Sequence, residues 1–362
     1  MPDLWKDHLN QDSVHEFALA VQSLYPVFAV DEFVQSVMDE TWDGLELKAR
    51  WRAITLSLGQ YLPADYGAAL DILSGVVDCY DGFVIHCLPD FVEVFGQGEA
   101  HWELSIAAME RFTPHASAEF AVRPFIINHE ERMMAQMYAW AQHADEHVRR
   151  LASEGCRPAL PWGQALKKYK EDPTPVLRIL TQLRTDPSPY VRKSVANNLN
   201  DIAKTHPDVV TQLAQEWYGT HKHSDWIVKH GCRTLLKRGN RAVLALFGYD
   251  DTTSVSVEDF ALQTPSVALG EDLNFSFVLC TQQATKVRLE YGIDYVKATG
   301  KHSRKIFQIS ESSLKGQQKK QYHKKHSFKD LSTRKHYPGP HAITLIVNGE
   351  QQGTLEFEVE PA

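Results

Sequence analysis

The stretch Asp186–Pro207, DPSPYVRKSVANNLNDIAKTHP, constrains the fold most, because it reads as one complete helical unit. Ser188 is a natural N-cap, and Pro189 suits the first helical position. Val191, Val195, Leu199 and Ile202 recur at helical spacing to form a stripe that must be buried, and Pro207 is expected to stop the helix. A second stripe, Tyr190, Ser194, Asn197 and Asp201, runs i, i+4, i+7, i+11 along a polar face. Function is expected on that face.

The unit has degenerate copies. Asp145-Glu-His-Val148-Arg149-Arg150, Pro189-Tyr-Val191-Arg192-Lys193 and Asp225-Trp-Ile-Val228-Lys229 each place a short polar start before a valine and one or two basic residues. The valines are 43 and then 37 residues apart. Those spacings bracket the period of HEAT and armadillo repeats, helix pairs that bury their apolar faces only by stacking on neighbours. Upstream, Leu47–Leu58 and Tyr66–Val77 also have helical periodicity, separated by the breaker Leu62-Pro63-Ala64-Asp65. A HEAT-like α-solenoid over residues 1–248 is expected, with one face lining a groove.

After Gly248 the pattern changes. Ser254–Phe260, Asn274–Cys280, Lys286–Tyr291, Lys305–Ser310, His341–Val347 and Gly353–Val359 are short alternating or β-branched runs, divided by turn signals such as Asn348-Gly349. About seven strands in roughly 110 residues match an immunoglobulin-like β-sandwich, here assigned to 254–362. The basic stretch 311–336 is expected to include a long loop and a flanking strand. Cys79, Cys87, Cys156, Cys232 and Cys280 show no CxxC spacing, so neither a zinc ribbon nor a disulfide framework is expected.

The formal net charge of -8 is unevenly spread. Residues 1–110 carry 4 basic and 19 acidic side chains, 111–250 carry 20 and 14, and 301–340 carry 11 and 2. Two positive regions on an acidic chain suit local contacts with a polyanion. The N-terminus lacks a signal-peptide pattern, and no apolar run reaches the ~18 residues of a membrane span, so a cytoplasmic protein without a membrane partner is expected. There is no GxGxxG, Walker A or GxSxG motif, and His143-x-x-x-His147 and His221-x-His223 lack metal-site context, so no cofactor is expected.

YVRKSVANNLNDIAK, with EFAVRPFI at Glu119–Ile126, LPW at Leu160–Trp162 and ELKARWRAITLSLGQYLPADY near the N-terminus, resembles the AlkC branch of the AlkC/AlkD DNA alkylation-repair glycosylases over residues 1 to about 248. Some AlkC-type members also carry a C-terminal immunoglobulin-like domain. The resemblance implies a monofunctional glycosylase that removes cationic N-alkylated bases, such as 3-methyladenine and 3-methylcytosine, from double-stranded DNA without flipping them. The family's active-site carboxylates and aromatic residue carry over to Glu119, Asp201 and Trp162, which fall one repeat length apart.

Those residue types suit the chemistry. Cleaving an N-glycosidic bond builds positive charge on the deoxyribose, which a fixed carboxylate stabilises, while an alkylated base leaves as a neutral molecule without a general acid. A tryptophan face can meet the cationic base. Arg123, Arg149, Arg150, Arg157, Arg192, Lys193 and Lys229 are expected to hold phosphates, with Lys319, Lys320, Lys324 and Lys325 contributing from the second domain. Each residue also has a plainer use: Glu119 as a first-turn partner of a helix dipole, Asp201 as a local cap, Trp162 as a core or loop anchor. Glu130, Glu131 and Asp145 stand as alternative carboxylates. The competing reading of the whole chain is a catalytically silent HEAT scaffold for branched DNA or a protein partner. A monomer is the default for a solenoid that must admit a duplex.

Overall fold

The computed structural model describes residues 4–331 and 334–361; the outer ends of the two expected domains, and Ser332 and Thr333 of the expected basic loop, lie outside them. Among the described residues, sixteen α-helices from Gln11 to Leu246 precede eight strands from Val255 to Glu360. The chain is an α-solenoid followed by an immunoglobulin-like β domain. Its compact units do not follow the change of secondary structure. One unit comprises Met1–His206 with Gly219–Gly231, and the other Pro207–Tyr218 with Cys232–Ala362, so the last helices go with the strands. No helix among the described residues is long and apolar enough to cross a membrane.

Within the first unit, helices Glu146–Glu154, Pro189–Ile202 and Lys222–Gly231 stack in series, and Val148, Val191 and Val228 are all buried in that stack. Two of the helices start with the same device. Ser188 Oγ accepts from the N–H of Tyr190 at 3.1 Å and of Val191 at 3.4 Å, while Asp145 Oδ1 accepts from His147 at 2.7 Å and Val148 at 3.4 Å. Each cap contributes about 1 kcal/mol and fixes where the valine enters the core. Asp145 is therefore a cap. The helix of the opening motif ends at Ile202, before Pro207, which is instead the first residue of the next helix.

The basic residue after each valine also has a structural use. Arg149 donates to the carbonyls of His143 and Ala144 at 3.0 and 2.7 Å, and Arg192 donates to those of Asp186 and Pro187 at 3.0 and 2.6 Å. Each guanidinium thus ties the turn before its own helix. Arg149 further makes a bidentate pair with Asp186, at 2.7 and 3.2 Å, joining one repeat to the next.

The strands are β1 (Val255–Leu262), β2 (Ser266–Ala268), β3 (Asp272–Thr281), β4 (Thr285–Val296), β5 (His302–Leu314), β6 (Gln318–Ser327), β7 (Gly339–Val347) and β8 (Glu350–Glu360). They form a three-stranded sheet, β1-β3-β6, and a five-stranded sheet, β2-β8-β7-β4-β5. Phe275, Phe277 and Leu279 from the first sheet meet Leu289, Ile293, Leu345 and Phe357 from the second in one apolar core. Asn348 and Gly349, at φ 48° and 79°, close the β7–β8 hairpin, as the Asn-Gly pair predicts.

The basic stretch holds more strand than expected, and only its described residues after Ser327 belong to a loop, the one that leads to β7. Most of it forms β5 and β6, with only a short turn between them. β6 is an edge strand whose only strongly buried side chains are Tyr322 and His326, so its polar residues mask the period-two signal. Lysines on an edge suit its need to stay unpaired with other chains.

Candidate active site

An open cleft of about 390 Å³ crosses the inner layer of the first unit. Lys48 and Trp51 come from helix Leu47–Tyr61, His86 from a 3-10 turn, Pro89, Asp90 and Glu93 from helix Cys87–Phe95, and Arg150 and Glu154 from helix Glu146–Glu154. Glu119, Arg157, Trp162 and Tyr190 complete its walls. Segments more than a hundred residues apart thus meet because successive repeats lie side by side.

Glu119 lies in a turn ahead of helix Val122–Asn128, not in the helix's first turn. Its Oε2 accepts from Ser117 Oγ at 3.0 Å and from Arg150, whose guanidinium also donates to Ser117 Oγ at 2.7 Å and lies 5.0 Å from the Tyr190 ring centroid. From there charges alternate along the floor. Arg150 reaches Glu154 at 3.5 Å, Glu154 accepts from Arg157 at 2.6 Å and from Ser194 at 2.6 Å, and Arg157 pairs with Asp201 at 2.8 Å. Burial is the largest single influence on Arg150 and Arg157 and lowers their pKa values, but the surrounding acidic groups together outweigh it and raise both, so both guanidiniums stay charged.

Trp162 stands out by conformation. Gly163 N–H bonds the Leu160 carbonyl at 3.1 Å, and Trp162 has φ 61°, the pattern of a type II turn with tryptophan where glycine is usual. The residue is 73% exposed and lines the cleft. It is not a core anchor. On another part of the wall, Trp51 stacks on His86 with centroids 5.2 Å apart, and the Trp51 Nε1–H has no hydrogen-bond partner among the described residues. Burial lowers the His86 pKa, favouring a neutral imidazole, against a raising hydrogen bond to the Phe83 carbonyl.

Glu119 and Trp162 therefore share one cleft, but Asp201 does not line it. Asp201 is 5% exposed and has both oxygens engaged, Oδ2 by Arg157 and Oδ1 by Lys204 at 2.8 Å. It sits on the last turn of its helix, whereas Glu119 and Trp162 sit in turns, so equal spacing did not make the positions equivalent. In this arrangement Asp201 holds Arg157, which itself lines the cleft. Glu130, paired with Lys168, and Glu131 lie outside the cleft wall.

The phosphate assignments divide in the same way. Arg123 is 1% exposed and donates through Nε and Nη1 to the carbonyls of Gln164 and Gly155, so it is spent on nearby backbone. Arg149 and Arg192 tie turns, and Arg150 and Arg157 are engaged with carboxylates. Lys193 and Lys229 are exposed. In β6, Lys319 pairs with Glu258 and Lys325 with Asp272, both at 2.7 Å, while Lys320 and Lys324 occupy alternate positions on the strand.

The sequence reading missed Glu154, Lys48, Trp51 and His86. A signal existed for Glu154, which lies i+4 from Arg150 on one helical face and three residues before Arg157. Lys48 and Trp51 fall inside the quoted ELKARWR segment, whereas nothing local marks His86. Among the described residues, no cluster of three or more His, Cys, Asp or Glu is placed to hold a metal ion.

A model of the DNA alkylation repair enzyme family matches residues 113–235, and one for the C-terminal Ig-like domain of the uncharacterised protein YhaZ matches 256–361. The uncharacterised protein YhaZ of Bacillus subtilis (strain 168) is 48% identical over 359 residues, spanning 99% of this chain and 100% of its own. The alkylpurine DNA glycosylase AlkC of Pseudomonas fluorescens, solved bound to DNA containing an abasic site analog, is 36% identical, covers 98% of this chain and 99% of its own, and superposes with a TM-score of 0.94.

Proposed function

The chain belongs to the AlkC-type branch of the DNA alkylation-repair enzymes, and from that premise we propose that it is a monofunctional DNA glycosylase. Its proposed substrates are cationic N-alkylated bases of the 3-methyladenine and 3-methylcytosine class, in duplex DNA. The observation that carries this reading is the meeting of an anchored carboxylate, Glu119, and an exposed aromatic face, Trp162, in one open cleft.

Glu119 stabilises the positive charge that develops at C1′ as the glycosidic bond breaks, and can orient the attacking water. Ser117 and Arg150 hold it in place beforehand, so little reorganisation accompanies the reaction. Trp162 meets the cationic base or the deoxyribose. Cation–π attraction supplies about 2 kcal/mol when desolvated, whereas enzymes lower barriers by roughly 8 kcal/mol or more, so the carboxylate must contribute most. Asp201 acts through Arg157, and Glu154 links that pair to Arg150. The exposed Trp162 at the cleft wall suits approach to a lesion still in the helix.

The test is to incubate the protein with duplex containing 3-methyladenine or 3-methylcytosine and measure free base. Glu119→Gln is expected to abolish most release, with Asp201→Asn less severe. No release by the folded wild-type protein overturns the enzyme reading in favour of the scaffold.

A further inference from the structure

We propose that Lys48 is a positioning residue that sets the width of the cleft by holding Trp162 against the wall that carries Glu119. Lys48 is an exposed side chain at the start of helix Leu47–Tyr61. Its Nζ donates to the Trp162 carbonyl at 3.1 Å, and the same ammonium lies 4.0 Å from the centroid of the Phe120 ring. Phe120 follows Glu119 in the chain and lines the cleft with it. One cation therefore touches both the turn that presents the aromatic face and the turn that presents the carboxylate.

The contact falls where it is most needed. Trp162 occupies a backbone conformation that a side chain resists, so its turn needs support from its surroundings. A hydrogen bond from a charged donor to the carbonyl of that residue fixes the peptide that follows it and so anchors the turn. Lysine suits the task because its flexible stem reaches across a gap while its compact head makes two contacts at once.

The choice of substrate rests on the glycosylase reading, so the experiment has one arm that needs no activity. In the first arm, base release from 3-methyladenine duplex is compared for wild type, Lys48→Met, Trp162→Ala and the double variant. Lys48→Met is expected to lower release about tenfold in the wild-type background, the scale of one charge-assisted hydrogen bond. It is expected to leave release unchanged once Trp162 is gone, with Lys48→Arg restoring part of the loss. An equal fold-loss in both backgrounds means that Lys48 acts independently of Trp162, by meeting a phosphate for example, and overturns the proposal.

In the second arm, acrylamide quenching of Trp162 is isolated as the difference between proteins with and without Trp162→Phe. Quenching is expected to rise on Lys48→Met. An unchanged difference refutes the proposal even if the wild type releases no base, an outcome that would sink the glycosylase reading separately. Because Lys48 is exposed, an unaltered melting temperature verifies that the variant folds.

Discussion

Replacing Trp162 by glycine is expected to make the protein more stable and less active. Trp162 sits at φ 61° in a turn closed by the Gly163–Leu160 hydrogen bond, and the residue is 73% exposed. A side chain in the left-handed region costs about 1–2 kcal/mol, part of which glycine returns through the greater entropy of its unfolded chain, leaving a gain near 1 kcal/mol. Losing so exposed a ring sacrifices little burial. The solenoid unit should therefore melt about 2–4 °C higher in a calorimetric scan, the shift expected of a domain of this size for that energy. Trp162→Ala is the control, because it removes the ring but keeps the backbone cost. Both variants should release base about 30-fold more slowly, the rate equivalent of the ~2 kcal/mol a tryptophan face can supply to a desolvated cation. Equal melting temperatures for the two variants would refute the strained turn. A glycine variant that works at the wild-type rate would refute contact between the ring and the lesion.

Two further outcomes concern the β domain. Burial, reinforced by Arg334 and His336 and opposed by Asp272, lowers the His326 pKa from 6.5 to about 4, where its ring shares hydrogen bonds with the Tyr291 and Tyr295 hydroxyls. The neutral form is thus favoured by folding; its stabilisation is complete above the unfolded value and is lost as pH falls from about 6.5 toward 4. By pH 5 the loss should be ~2 kcal/mol, read as a fall in the urea midpoint of the strand transition, and His326→Gln should flatten that fall. An unchanged pH profile in the variant would rule His326 out. For DNA, changing both Lys320 and Lys324 to glutamine should reduce the slope of log affinity against log salt by about 2, near 0.9 for each phosphate that is no longer neutralised. The paired Lys319 and Lys325 should matter less, and equal effects from the two pairs would contradict the ion pairing as the basis for choosing between them.

Much of the helical architecture is legible in the sequence because its signals are local. Ser188 before Pro189, and the three valines with their polar starts, report capping and burial directly. The uses of the arginines depend on folded geometry, whether the partner carbonyls lie five or six residues back, as for Arg149 and Arg192, or 32 and 41 residues away, as for Arg123. Arg149, Arg192 and Arg123 look like surface charge in one dimension, yet each is consumed by carbonyl groups whose positions depend on how turns fold back. Asp201 and Glu154 illustrate the same limit, since only the stacking of repeats decides which carboxylate faces the cleft and which lies beneath. β6 escaped notice because an edge strand needs few apolar residues, and Tyr322 and His326 are too sparse to reveal its alternation.

The Arg149–Asp186 clasp has a consequence for how this chain can change over generations. Arg149 satisfies two carbonyls in its own repeat while gripping a carboxylate in the next, so loss of either charged partner leaves the other stranded in a mostly buried place. Substitutions at positions 149 and 186 should therefore travel together among relatives, whereas Lys193, exposed on the following repeat, is free to vary alone. New contacts for DNA can be recruited at positions of the second kind without loosening the stack.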